Sequence, residues 1–246
     1  MQSANPNEFH EIVGESPVLK RLLWRAFDAA KSEGVVLIVG EPGSGKELIA
    51  RAIHRLGKRR LESFIKVDCA IIPPAQLEAV LFETEKGRLQ AANQGTLLLK
   101  RAGSVSLDVQ PRLLQVFGQR KLEPPRDPST SSIDTRLIAT VTDLGQKIED
   151  FWLYNGLLPG VSVSVIRVAP LRERSEDIPL LAEFFVRKWA RRMNKSITTI
   201  SADTMTALVN YSWPDNIREL ESLIERSVMS SEGHELHLEI PTKKRA

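Results

Sequence analysis

The chain has 246 residues, 42% of them hydrophobic and 26% charged, with a formal net charge of +3. That is enough for one ordinary core, or a large domain with a small one, and it excludes a disordered chain. The single cysteine, Cys69, excludes an internal disulfide, and no apolar run reaches the ~20 residues a membrane span needs.

The N-terminal residues 1–11 carry Glu8, His10 and Glu11 and no apolar stretch of signal-peptide type, so a cytoplasmic protein is expected. Short apolar runs then alternate with helical patterns. The runs are Val35–Val39, Phe64–Val67, Thr96–Leu99, Arg136–Thr140 and Val161–Val168. Helical spacing covers Pro17–Lys31, Lys46–Leu56, Gln76–Phe82 and Leu107–Phe117. Such alternation predicts an α/β domain over 12–170, a parallel sheet covered by helices on both faces. Glu123–Ser132 reads as a Pro/Ser-rich loop. Past Pro170 only helices are predicted, giving a small all-helical domain over 171–240 and a tail over 241–246. Its helices are Ile178–Met193, a second capped by Ser201 and running to Tyr211, and a third over Ile217–Ser230, with Asn216 and Glu219 spaced as a capping box. The basic runs Lys58-Arg59-Arg60 and Lys243-Lys244-Arg245 are expected to be solvated surface and frayed tail. Cys69, at the end of a strand-like run, is expected to be a small buried residue.

Gly40-Glu41-Pro42-Gly43-Ser44-Gly45-Lys46 follows a strand and opens a helix. This is the P-loop pattern in the context its mechanism requires. Glycines let backbone N–H groups turn around phosphate oxygens, the helix N-terminus adds a favourable dipole, and Lys46 reaches the outer phosphates. The next position usually holds a magnesium-binding hydroxyl; here it is Glu47.

Glu47 after the P-loop lysine is similar to what ATPase domains of sigma-54-dependent transcription activators carry there. Further segments resemble that family: Ile12-Val-Gly-Glu-Ser-Pro, Phe64-Ile-Lys-Val-Asp-Cys-Ala-Ile-Ile-Pro, Pro170-Leu-Arg-Glu-Arg-Ser-Glu-Asp-Ile-Pro and Trp213-Pro-Asp-Asn-Ile-Arg-Glu-Leu. The likeness runs from about residue 10 to 240. It implies a P-loop AAA+ domain with a helical lid, ATP or ADP as ligand, ring assembly, and remodelling of RNA polymerase carrying sigma-54. Within it Arg218 matches the lid arginine that contacts nucleotide; the competing role is an ordinary helix-surface pair with Glu221 or Glu225.

The chain departs from the family where chemistry is done. The loop that touches sigma-54, EKGAFTGA in the family, is reduced to Glu85-Lys86-Gly87 followed at once by Arg88. Where the family ends its Walker B strand with Asp-Glu, which holds magnesium and polarises water, this chain has Lys100-Arg101. These two side chains either extend to solvent or stand in for the metal's charge. The sensor I asparagine is replaced by Thr142, and the arginine-finger positions fall near Tyr154 and Gly160. No catalytic residue and no metal ligand is therefore assigned. Gly40–Glu47 and Arg218 are expected to bind nucleotide, with magnesium disfavoured and hydrolysis weak or absent. The expected partner is an intact relative or a second copy rather than sigma-54 polymerase. No helical pair follows the lid, so no DNA-binding domain is expected in this chain. The alternative is an active sigma-54-dependent activator ATPase.

Overall fold

The computed structural model describes residues 12–83, 87–118, 133–142, 151–155 and 162–238. The expectations for residues 1–11, Glu85-Lys86, Glu123–Ser132, Gly160 and the tail from 241 lie outside the described residues. In chain order the elements are α1 (Pro17–Lys31), β1 (Val35–Gly40), α2 (Lys46–Leu56), β2 (Phe64–Asp68), α3 (Pro74–Phe82), α4 (Arg88–Ala91) and β3 (Thr96–Lys100). Then come α5 (Gln110–Gly118), β4 (Arg136–Thr142), α6 (Trp152–Asn155), β5 (Val163–Val168), α7 (Ile178–Arg192), α8 (Ala202–Asn210) and α9 (Asn216–Ser230).

The five strands form one sheet in the order β2-β3-β4-β1-β5. Phe64 to Asp68 pair in parallel with Thr96 to Lys100, and Thr96 to Leu99 with Arg136 to Ala139. Burial follows position in the sheet. Every residue of β1 is buried, as are the first four of β3, while the edge strands β2 and β5 are buried only in part. A strand covered on both faces has no solvent side, so its sequence reads as a continuous apolar run, Val-Val-Leu-Ile-Val in β1. Parallel neighbours require long crossovers, which α2, α3, α4 and α5 supply.

Two compact units result. One gathers Trp24–Val39 and Lys46–Arg167; the other gathers Met1–Leu23, Gly40–Gly45 and Val168–Ala246. The first has a core of Leu37, Val67, Leu97, Leu99, Leu137 and their neighbours. Its fully buried Arg136 donates to the carbonyls of Ala29 (2.6 Å) and Ala30 (3.4 Å), the last turn of α1. A cation on otherwise unmet C-terminal carbonyls satisfies them and opposes the helix dipole. The second unit packs Leu181, Phe185, Trp189, Trp213, Leu220 and Ile224 of the helices after Pro170. The long P-loop stretch Gly40–Gly45 thus belongs to the same compact unit as those helices.

Three expectations need correction. Arg59 is not solvated surface: its side chain bonds Glu33 (2.7 Å), the Asp134 carboxylate (2.8 Å) and the Asp134 carbonyl (2.7 Å). Asn216 does not cap α9 with its side chain; the N-cap is Asp215, and the amide of Asn216 is used elsewhere, as described below. Neither half of the expected box forms: the Glu219 carboxylate accepts from the Asp215 N–H at 3.0 Å, and the Asn216 N–H donates to the Trp213 carbonyl at 2.8 Å. Helix α5 starts at Gln110, three residues later than the spacing predicts, because Leu107–Val109 form a turn and Leu107 is 80% exposed. Ser201 behaves as expected, accepting from the Thr204 N–H.

Candidate nucleotide-binding site

The loop Gly40–Gly45 takes two backbone conformations that favour glycine, φ +71° at Gly43 and +101° at Gly45. Its outer side is held by both motifs that follow Pro170. Arg172 grips the Glu41 carboxylate with two hydrogen bonds, 2.8 and 2.6 Å. Asn216 Nδ2 donates to Glu41 Oε2 and to the Pro42 carbonyl, both at 3.0 Å, while its Oδ1 accepts from the Leu171 N–H at 2.7 Å. Buried Arg174, whose pKa is lowered by desolvation and partly restored by Asp177, donates to the Ser44 carbonyl at 2.8 Å. The Ile217 N–H donates to the Gly43 carbonyl. Side-chain amides and guanidinium groups thus occupy the loop's carbonyl oxygens. The Ser44 N–H is itself turned back on the Glu41 carbonyl at 3.3 Å, so what suits the loop to an anion is the pair of left-handed glycines and the helix N-terminus that follows. Ser44 Oγ, 1% exposed, has no hydrogen-bond partner among the described residues, which fits a polar ligand at the loop.

Arg218 lies on the exposed first turn of α9, beside this loop: a Cβ placed on Gly43 would be 3.1 Å from the Arg218 Cβ. Its expected competitor partner Glu221 is instead taken by Lys188 at 2.6 Å. Asp177, which sequence reasoning did not single out, is fully buried and accepts from the N–H groups of Glu15 and Ser16 and from the Ser16 hydroxyl. It ties the first family-like segment to the third, a long-range bond that no local spacing signals.

In the other unit, Lys46 opens α2 and Glu47 follows it. The Glu47 carboxylate accepts from Lys66 and Lys100, both at 2.9 Å, and lies 3.6 Å from Arg51. Burial alone would raise its pKa, but the bonds from Lys66 and Lys100 outweigh burial and hold it at about 2. Asp68 binds Arg101 through Nε at 2.7 Å and lies 3.5 Å from Lys100. Neither Lys100 nor Arg101 is simply extended into solvent, one of the two roles expected for them. Arg101 leaves β3 in a left-handed conformation, φ +53°, its N–H donating to Thr140 Oγ1 at 3.1 Å. Thr142, the expected sensor position, ends β4 half-buried. Tyr154 lies on α6 and is 38% exposed. Lys66, Asp68 and Arg51 were missed by sequence reasoning. A signal existed for Asp68: it closes a strand-like run, and ligands of open α/β sheets bind at the carboxyl ends of the strands.

Magnesium takes oxygen donors in near-octahedral array, commonly one or two carboxylates together with phosphate and water. Both carboxylates, Glu47 and Asp68, are already engaged by cations. Each unit-charge repulsion at ~4 Å costs about 4 kcal/mol at an effective dielectric of 20.

A glycine-rich loop between a central strand and a helix, on a parallel sheet with a helical bundle after it, defines a P-loop domain of AAA+ architecture. Comparison with known proteins makes the family specific. Residues 12–166 match the sigma-54 interaction domain and residues 172–242 the AAA+ ATPase lid domain, so the chain belongs to the sigma-54 interaction domain family. It is 39% identical over 246 residues to the DNA-binding transcriptional activator HyfR of Escherichia coli, covering 95% of this chain and 37% of that protein. Against the transcriptional regulatory protein ZraR of Klebsiella oxytoca the identity is 37%, over 90% of this chain and 53% of the other. The crystal structure of NtrX from Brucella abortus in complex with ATP superposes with a TM-score of 0.75 at 30% identity, covering 89% of this chain and 50% of that one. The chain therefore spans only about a third to a half of the length of these relatives. No described helix is long and apolar enough to cross a membrane.

Proposed function

We propose that this chain binds ATP or ADP through Gly40–Lys46, assisted by Arg218, and hydrolyses it weakly or not at all. Binding is supported by the positive-φ glycines of the loop and the helix N-terminus opened by Lys46. NtrX was crystallised with ATP and with ADP, which supports the same ligand class here. The observation that carries the loss of hydrolysis is the ion-pair network of Glu47, Asp68, Lys100 and Arg101. Phosphoryl transfer depends on charge stabilisation by metal and arginine and on a group that orients water. Here the carboxylates that would serve a metal are neutralised, two cations end β3, and Tyr154 stands at one finger position.

The activity left to such a chain is nucleotide-dependent interaction, with a second copy or an intact relative. Contact with sigma-54 polymerase is disfavoured. The Gly87 N–H donates to the Glu83 carbonyl at 2.8 Å, and the sequence holds only Thr84-Glu85-Lys86 between these two residues. The competing reading, an active activator ATPase, is favoured by family membership alone. Titration with a fluorescent ATP analogue tests binding: saturable signal displaced by ADP and lost in Lys46→Ala is expected, and none in the wild type would refute it.

A further inference from the structure

The charges around Glu47 do not balance. Among the described residues, Arg51, Lys66, Lys100 and Arg101 face Glu47 and Asp68 in one set of ion pairs, four cations against two carboxylates. The surplus is two positive charges, the charge of one magnesium ion. It lies at the first turn of α2, since Lys100 Nζ is 2.9 Å from Glu47 and Glu47 follows the phosphate-seeking Lys46. The ammonium is not sequestered: the Lys100 and Arg101 side chains are 31% and 46% exposed.

The geometry points to a site that takes a nucleoside polyphosphate without metal, the fixed charges of Lys100 and Arg101 doing what a bound magnesium ion does elsewhere. This rests on the nucleotide binding proposed above, and its residues Lys46, Glu47, Asp68, Lys100 and Arg101 all lie in one compact unit. Carboxylates hold the two cations in place, as they would hold a hydrated metal, and both cationic side chains remain partly exposed. A magnesium ion entering here would break both sets of pairs and meet like charge. In solution it competes for the same phosphate oxygens, so it works against binding.

Calorimetric titration with ATP and with ADP, in excess magnesium and again in EDTA, tests the inference. Affinity in EDTA is expected to equal or exceed that in magnesium. The double variant Lys100→Asp/Arg101→Glu returns acids to the end of β3; it is expected to bind about tenfold or more weakly in EDTA and to recover with magnesium. Melting without nucleotide gives a second readout: magnesium raises the melting temperature of the variant and leaves the wild type unmoved. Should the double variant not fold, Lys100→Met is expected to weaken metal-free binding about tenfold, and unchanged affinity there counts against the inference. Wild-type affinity that drops tenfold on chelation overturns it while leaving nucleotide binding intact. Failure to bind either nucleotide in either buffer overturns both.

Discussion

Replacing Gly43 by alanine probes how the loop is held. The Cβ would sit 2.0 Å from the Asp215 carbonyl oxygen, where 3.0 Å is the floor for real contacts, and φ is +71°. The atom it meets is backbone, fixed by the start of α9, so the loop must withdraw. The left-handed conformation costs alanine about 1 kcal/mol. Withdrawal also weakens the bonds from Ile217 N–H to Gly43 and from Asn216 to Pro42, each worth about 1 kcal/mol. With residual overlap the total is about 2–4 kcal/mol, or a melting temperature lower by roughly 4–16 °C for a chain of this size. Gly103 is the internal control, since a Cβ there meets nothing within 4 Å. Differential scanning fluorimetry and analogue titration on both variants should show Gly43→Ala destabilised and at least tenfold weaker in binding. A Gly43→Ala chain that melts and binds like Gly103→Ala would refute the loop geometry.

Asn216→Ala should cost about 2–3 kcal/mol in chemical denaturation, because the side chain is fully buried and leaves the Leu171 N–H unmet. Arg172→Ala removes a shorter but 39% exposed ion pair and should cost at most about 1 kcal/mol; the reverse order would contradict the assignment. Acid should act in two windows of a pH–stability curve. His54 has its pKa lowered by burial and then by Arg136, so its contribution is lost as pH falls below 6.5, where the unfolded imidazole takes a proton first. Glu47 is held at about 2 against 4.5, so its contribution is lost between those values; after screening at a one-third exposed site it is about 1–2 kcal/mol. A curve flat from neutral pH to 3 would contradict both. Cys69, 2% exposed with its thiol pushed up to about 12 by burial and by Asp68, should react with a thiol reagent only as fast as the chain opens.

Much of this architecture was legible because its strands are buried runs and its long helices keep one apolar face. Val35 to Val39 could be little else than a central strand, and Lys46 to Leu56 begins where a P-loop helix must. The four-residue helices α4 and α6 are too short to show a period. Asn216 was misread because its local spacing with Glu219 suits a cap, whereas the partners it uses, Leu171 and Glu41, are distant in sequence. Arg59 looked like surface for the same reason, its carboxylates lying at Glu33 and Asp134. Lys100 and Arg101 stood out at once as the wrong charge for a metal site. What they pair with depends on the register of β2 against β3, which emerges only once the sheet is assembled.

Steady-state phosphate release by the wild-type chain, beside Lys46→Ala and at ATP concentrations spanning the measured Kd, bears most directly on the idea of a site that holds nucleotide and spares it. Release no faster than Lys46→Ala while the wild type is saturated is the expected result. Turnover clearly above that background, rising with site occupancy, would contradict it.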